Sequence, residues 1–274
     1  MSIHIDDEGR RSVRAEVEVP GTPEQVWEAI ATGPGIASWF MAVDTEFDAE
    51  VGGKVRTLMG DQLVEEFTLT AWDPPRQFTA EGPGAAGPGS PRGAFEWTVE
   101  ARSGGTCVVR LVQSLFTSDD AWDTQLGDAA LGWPAFFDVL KAYLSRFRGQ
   151  PCGIVQAMAP ASGSADEAYA RLATEFGLAG LEVGQAFTSQ AEGAPPLSGT
   201  VDKLMAVDER DRRAMLHLES PLPGTAWVGV GTIAGQVTDI VSLYYYGEGA
   251  ADAAARDQEV LGTWLQAHVA AVTS

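Results

Sequence analysis

Near the middle of the chain, the stretch LGWPAFFDVLKAYLSRF at residues 131–147 places Trp133, Phe136, Phe137, Leu140, Tyr143, Leu144 and Phe147 at spacings of three, four and seven. That period gathers them on one broad face of a helix. An apolar face this wide is costly to leave in water, so other parts of the chain must form a surface that covers it. The residues in front of it supply the material.

Val13, Ala15, Val17 and Val19 alternate with Arg14, Glu16 and Glu18, the pattern of a strand with one buried face. Pro20 and Gly21 break it. Thr22 then caps a helix, Pro23 suits its first position, and Gln25 completes a capping box, with Val26, Trp27 and Ile30 as the apolar side. After a Gly/Pro break at residues 33–35, Ile36, Trp39 and Phe40 read as a second short helix or turn. Runs with strand character follow at 45–47, 53–59, 63–72, 77–80, 94–101 and 107–116, separated by breakers such as Asp73-Pro74-Pro75 and Ser103-Gly104-Gly105. Six such runs in a row imply a largely antiparallel sheet. Strand, two helices, sheet meander and long helix make an α+β helix-grip order, a curved antiparallel sheet around a long C-terminal helix.

Three segments, AEVEVPGTPEQVWEAI at 15–30, TLTAWDPPRQF at 68–78 and the 131–147 stretch, resemble the activator-of-Hsp90-ATPase-like family of the START/Bet v 1 superfamily. The resemblance covers about residues 12–148 and rests on fold signatures rather than catalytic motifs. It implies a START/Bet v 1-like fold with an internal pocket for a small hydrophobic or amphipathic molecule. It also implies two other roles, a polyketide cyclase or hydrolase-like enzyme using the same pocket, and a co-chaperone acting on Hsp90. The eukaryotic activators carry a further N-terminal domain, and residue 12 is preceded here by nothing of that kind, which weighs against the chaperone role.

Residues 151–274 read as a degenerate repeat of the order, the alternative being an α+β domain of other ancestry whose similar order is coincidental, which gives a first domain at 1–150 and a second at 151–274. Adding 142 carries Thr22 onto Ser164, Gln25 onto Glu167, Trp27 onto Tyr169 and Ile30 onto Leu172. Val51-Gly52 matches Val183-Gly184 at an offset of 132, so the second copy is expected to lack about ten residues, roughly the short helix around Trp39. Ala71-Trp72-Asp73 lies opposite Ala206-Val207-Asp208, and the strand pair around Gly104 opposite the pair around Gly235. The closing helix is expected to bury Val260, Leu261, Trp264, Leu265, Val269 and Val272.

The formal charge of -20, from 18 basic and 38 acidic side chains, repels phosphate backbones and anionic lipid. Neither nucleic acid nor membrane is an expected partner; a small hydrophobic ligand is, and a homodimer is compatible with the sequence. Two cysteines, an N-terminus with no apolar segment and the lack of an 18-residue apolar run read as a cytoplasmic protein.

Catalytic spacing is missing: HExxH, CxxC, a P-loop and GxSxG do not occur, and no cofactor or metal site is expected. Residues 82–87 satisfy GxGxxG, but no helix opens after them to hold a pyrophosphate, so they read as a long hairpin loop, able to act as a lid. Of three histidines, His4 lies in an expected frayed terminus, His268 at the rim of an amphipathic stripe, and His217 in a strand where it shares a face with Met215 and Glu219. His217 and Glu219 form an acid/base pair if that face lines a cavity, and ordinary surface polarity explains the same pattern. Glu65 and Glu66, as strand neighbours, point to opposite faces and cannot share a proton. Glu65 directed into an enclosed apolar cavity would favour the enzyme reading. Trp39, Phe40, Trp97, Trp133, Phe136 and Phe137 are expected between sheet and helix, where each fills core and together they mark where an apolar ligand sits.

Overall fold

Alternation along the first long strand sets the architecture. In β2 (Arg11–Pro20), Val13, Ala15 and Val19 are buried while Arg14, Glu16 and Glu18 face water. The computed structural model describes residues 3–272 apart from 8, 42, 61, 86–88, 209 and 234. It divides into two compact units, Met1–Arg148 and Gly149–Ser274.

In the first unit, β2 is preceded by a two-residue strand β1 (His4–Ile5), which pairs antiparallel with it. His4, expected in a frayed end, is therefore tied into the sheet. Helix α1 (Pro23–Ile30) starts at Thr22 with the capping box fully formed, and α2 (Gly33–Ile36) follows at once. The Trp39 indole, fully buried, donates to the Ala29 carbonyl at 2.9 Å and so pins the turn after α2 onto α1. Strands β3 (Asp44–Phe47), β4 (Lys54–Met59), β5 (Gln62–Asp73), β6 (Gln77–Gly82), β7 (Gly93–Arg102) and β8 (Thr106–Leu115) form a meander. With β1 and β2 they make an antiparallel eight-stranded sheet in the order β1-β2-β8-β7-β6-β5-β4-β3. Every boundary lies within a residue or two of its sequence expectation.

A 3-10 turn (Asp120–Trp122) leads into α3 (Asp123–Ala142), which ends in a π-turn (Tyr143–Phe147). Ala142, Tyr143, Leu144 and Phe147 are all buried around it. α3 packs along β2, and the Arg11 guanidinium grips the Asp123 carboxylate at its first residue through two bonds, 2.5 and 3.0 Å.

The second unit has the same order with three elements fewer, the short strand β1 among them. Strand β9 (Cys152–Pro160), helix α4 (Ala165–Glu175), β10 (Ala186–Thr188), β11 (Ser198–Asp208), β12 (Asp211–Ser220), β13 (Gly224–Ile233) and β14 (Gln236–Tyr246) precede the closing helix α5 (Ala250–Val272). Its sheet runs β10-β11-β12-β13-β14-β9, so here too the first strand pairs with the last and the rest meander outward. Ser164 and Glu167 form the capping box that Thr22 and Gln25 form in the first unit, and each cap follows a left-handed glycine, Gly21 or Gly163.

The offset of 132 is visible in the hydrogen bonds themselves. Gly52 donates to Leu69 and Leu69 to Gly53; Gly184 donates to Val201 and Val201 to Gln185, all at 2.8–2.9 Å. Strands β4 and β5 therefore correspond to β10 and β11. Besides β1, the second unit lacks α2 with the turn bearing Trp39, and also the edge strand β3, a larger loss than the helix alone. Helix α5 buries Leu261 and Leu265, with Trp264 and Val269 packed against the core; Val260, expected inside, is 39% exposed. The side chain of Val272 lies outside the described residues.

Truncating Leu140, which is completely buried on the sheet-facing side of α3, should cost the first unit about 2–5 kcal/mol. Urea denaturation of Leu140→Ala measures this; a loss under about 1 kcal/mol would mean that α3 is not held as described.

Candidate functional site

The inner face of the first sheet is defined by the residues that alternate with outward charges. Cys107, Val109, Leu111, Gln113 and Leu115 on β8 point inward, as do Phe95, Trp97 and Val99 on β7, and Phe78 and Ala80 on β6. All six aromatic residues singled out from the sequence are on this side or on the helices that cover it. Trp39, Trp97 and Phe137 are buried, whereas Phe40, Trp133 and Phe136 are half-buried.

The half-buried rings form one cluster. Phe40 stacks on Trp133 with centroids 5.5 Å apart and planes 10° apart, and lies 4.6 Å from Phe136. Phe95, also half-buried, meets Trp133 edge-on at 6.3 Å and Phe67 at 5.3 Å. Beneath them Trp97 lies 5.6 Å from Trp133 and 6.0 Å from Phe137. Buried rings below and half-buried ones above thus form one continuous aromatic cluster whose outer members remain partly in water. Phe67 lies over Gly82, where an added Cβ would come within 2.8 Å of its ring, so glycine is required for the ring to lie flat across the strand.

One polar side chain stands inside this apolar wall. Gln113, 3% exposed, accepts from the Trp133 indole at 2.7 Å through Oε1 and donates through Nε2 to the Ala85 carbonyl. It thus orients a rim tryptophan and draws the β6–β7 loop inward, where Ala85 is buried. Residues 86–88 of that loop, the end of the GxGxxG match, lie outside the described residues. Phe95 and Gln113 were not singled out in the sequence. The signal was there, since each alternates with inward residues and Gln113 interrupts an otherwise apolar row.

Glu65 and Glu66 divide as strand neighbours must. Glu66 faces outward and binds Lys54 at 3.1 Å and Arg56 at 3.2 Å, which hold its carboxyl below the usual range. Glu65 pairs across the ladder with Thr57, two positions along from the buried Val55–Phe67 pair, and so shares their inward face. Partial burial raises its pKa, with no compensating charge or hydrogen bond among the described residues.

The second unit places its candidates differently. Leu216 and Leu218 enter its core, so His217 and Glu219 occupy the other face of β12, His217 half-buried and Glu219 exposed. His268 stacks on Trp264 at 5.1 Å, and burial pushes its pKa down. Where α2 and β3 are missing, a groove of about 350 Å³ runs along α4, lined by Tyr169, Ala173, Leu178, Leu181 and Leu204 among others. The 132-residue offset of the hydrogen bonds sets Leu204, not the expected Val207, opposite Trp72, so Tyr169 and Leu204 stand where Trp27 and Trp72 meet at 5.0 Å in the first unit. Among the described residues no group of three or more His, Cys, Asp and Glu side chains is arranged to hold a metal, and no helix is long and apolar enough to cross a membrane.

Residues 20–145 match the family described as Activator of Hsp90 ATPase homolog 1-like protein. No curated protein matches the chain. Among solved structures, CalU16 from Micromonospora echinospora is 20% identical with a TM-score of 0.41, over 53% of this chain and 83% of its own. DynU16, from the dynemicin biosynthetic locus, is 18% identical with a TM-score of 0.39 over 95% of this chain and 97% of its own. The di-domain ARO/CYC BexL from the BE-7585A biosynthetic pathway is 14% identical with a TM-score of 0.42 over 94% and 98%.

Asp239 provides a pH test of the second unit. It shares a strand face with the core residues Val241, Leu243 and Tyr245, is 2% exposed, and its Oδ1 has no hydrogen-bond partner among the described residues. Burial raises its pKa to about 6, against a smaller opposing pull from Arg171. A folded-state pKa above the unfolded value means that the native state holds the proton more tightly, so this group's contribution falls as pH rises from about 4 and is lost above about 6. Asp239→Asn should therefore stabilise the unit at pH 8 by on the order of 1–2 kcal/mol and have little effect at pH 4; equal effects at both pH values would contradict this.

Proposed function

We propose that the first unit, the part of the chain that matches the activator-of-Hsp90-ATPase-like family, binds a small hydrophobic or amphipathic molecule in the recess between its sheet and α3. The observation that carries this reading is the half-buried ring cluster of Phe40, Phe95, Trp133 and Phe136 above a buried floor. Aromatic rings left partly in water have a driving force to bury further surface, and an apolar guest supplies it at about 25 cal/mol per Å². Gln113 supports the reading by holding Trp133 in place before any guest arrives, which lowers the ordering cost of binding. Flat aromatic or polycyclic molecules match the rim best, because they can stack where Phe40 and Trp133 already do.

In this reading binding alone is the function, and the second unit, with a shortened chain and a filled core, is structural. Glu65 favours a second reading. A carboxyl with a raised pKa beside an apolar surface is suited to proton transfer, so the recess would then serve a cyclase- or hydrolase-like enzyme. The Hsp90 partner named in the family's description is a third role; a pull-down with an ATPase assay tests it.

Isothermal titration with 2-naphthol measures the binding reading directly. One site per chain is expected, with a negative heat-capacity change. Trp133→Ala should weaken it about tenfold, roughly 1.4 kcal/mol, whereas Trp264→Phe in the second unit should leave it unchanged. No binding, or an equal loss in both variants, would remove the proposal.

A further inference from the structure

Positive charge is scarce on the inner face of the first unit. Among the described residues of its sheet the one basic side chain that points inward is Arg11, whose Nε and Nη2 donate to Asp123 and whose Nη1 donates to the Ser118 carbonyl. Lys54 and Arg56, which lie opposite Thr68 and Glu66 in the ladder, are on the outer face and are held by Glu66, with Glu46 and Asp48 also on Arg56. Among the described residues Glu65 therefore stands inward with no cation to meet it. Its neighbours on that face are Thr57 across the ladder and Phe67 two residues along, and Phe67 leads through Phe95 to the Trp133 and Phe40 stack.

We propose that Glu65 is the ligand-orienting residue of the recess and that the molecule it receives is an aromatic amine, its ring among Phe67, Phe95 and Trp133 and its ammonium group on the Glu65 carboxylate. This rests on the binding reading above and names its ligand class. An ammonium group satisfies two features at once. It supplies the opposite charge that the carboxylate lacks, and it is attracted to the faces of the surrounding rings. An anionic guest would meet Glu65 as a like charge in a partly desolvated site, within a chain whose formal charge is already -20. The rise in the carboxyl's pKa is what an unpaired group in this position shows, and an amine would reverse it.

Three probes with one ring system test this on the full chain: 2-naphthylmethylamine, 2-naphthalenemethanol and 2-naphthoate, titrated at pH 7. The amine should bind at least about tenfold more tightly than the alcohol, the range of a hydrogen bond to a charged group, and the carboxylate most weakly. Glu65→Gln should bring the amine to within about threefold of the alcohol, chiefly by weakening the amine, since the alcohol can still hydrogen-bond the amide. Glu66→Gln, altering the outward neighbour, should preserve the amine preference. If the alcohol binds but the amine has no advantage, or if the advantage survives Glu65→Gln, this assignment fails while the binding reading stands. If none of the three binds, both fail.

Discussion

Leu140, Phe137 and Val139 leave water only because a curved antiparallel sheet offers Val109, Leu111, Trp97 and their neighbours to receive them. That contact decides the rest of the first unit. It obliges the sheet to present one apolar face, which is why Val13, Ala15 and Val19 alternate with charges. It obliges α3 to run past β2, where Arg11 and Asp123 fix its start, and Tyr143, Leu144 and Phe147 of the π-turn are buried at its end. It also leaves the open end of the grip lined with rings that neither the helix nor the sheet fully covers. The partly exposed ring cluster is thus a consequence of how the core closes, not an addition to it.

The two units show what happens when one such grip loses its edge. Hydrogen bonds displaced by 132 residues tie β4 and β5 to β10 and β11, and the capping boxes, displaced by 142, tie α1 to α4. The difference falls on α2, the Trp39 turn and β3. In the first unit that segment carries Trp39 and Phe40, part of the floor and rim of the recess. Without it, the second unit keeps the sheet-and-helix core built on Leu216, Leu243, Leu261 and Leu265, and a shallow groove beside Tyr169 takes the place of the lost elements. The same topology therefore carries a partly exposed ring cluster in one unit and a groove along α4 in the other.

Much of this was legible in the sequence because the governing patterns are short-ranged. Strand alternation, the Thr22 and Ser164 caps and the three-four spacing from Trp133 to Phe147 each declare themselves within a few residues. The opposed directions of Glu65 and Glu66 followed from strand geometry alone. What the sequence did not declare depends on partners distant along the chain. Phe95 looks like any strand aromatic until Phe67 and Trp133 are brought to it, and Gln113 looks like an ordinary polar residue until Trp133 and Ala85 bind its two ends. Val260 fits the helical stripe of α5 but falls at its margin, where the shorter second sheet gives no cover. The absence of β3 was hidden because four residues at a sheet edge leave too weak a pattern to be missed.

The account turns on whether the half-buried rings of the first unit surround a place for a guest. A crystal structure of the full chain soaked with 2-naphthalenemethanol tests this most directly. The account predicts the naphthalene in contact with Phe40, Phe95, Trp133 and Phe136, with the second unit's core unchanged. A structure in which those four rings close on one another and the probe is absent, or sits against α4 instead, would contradict it.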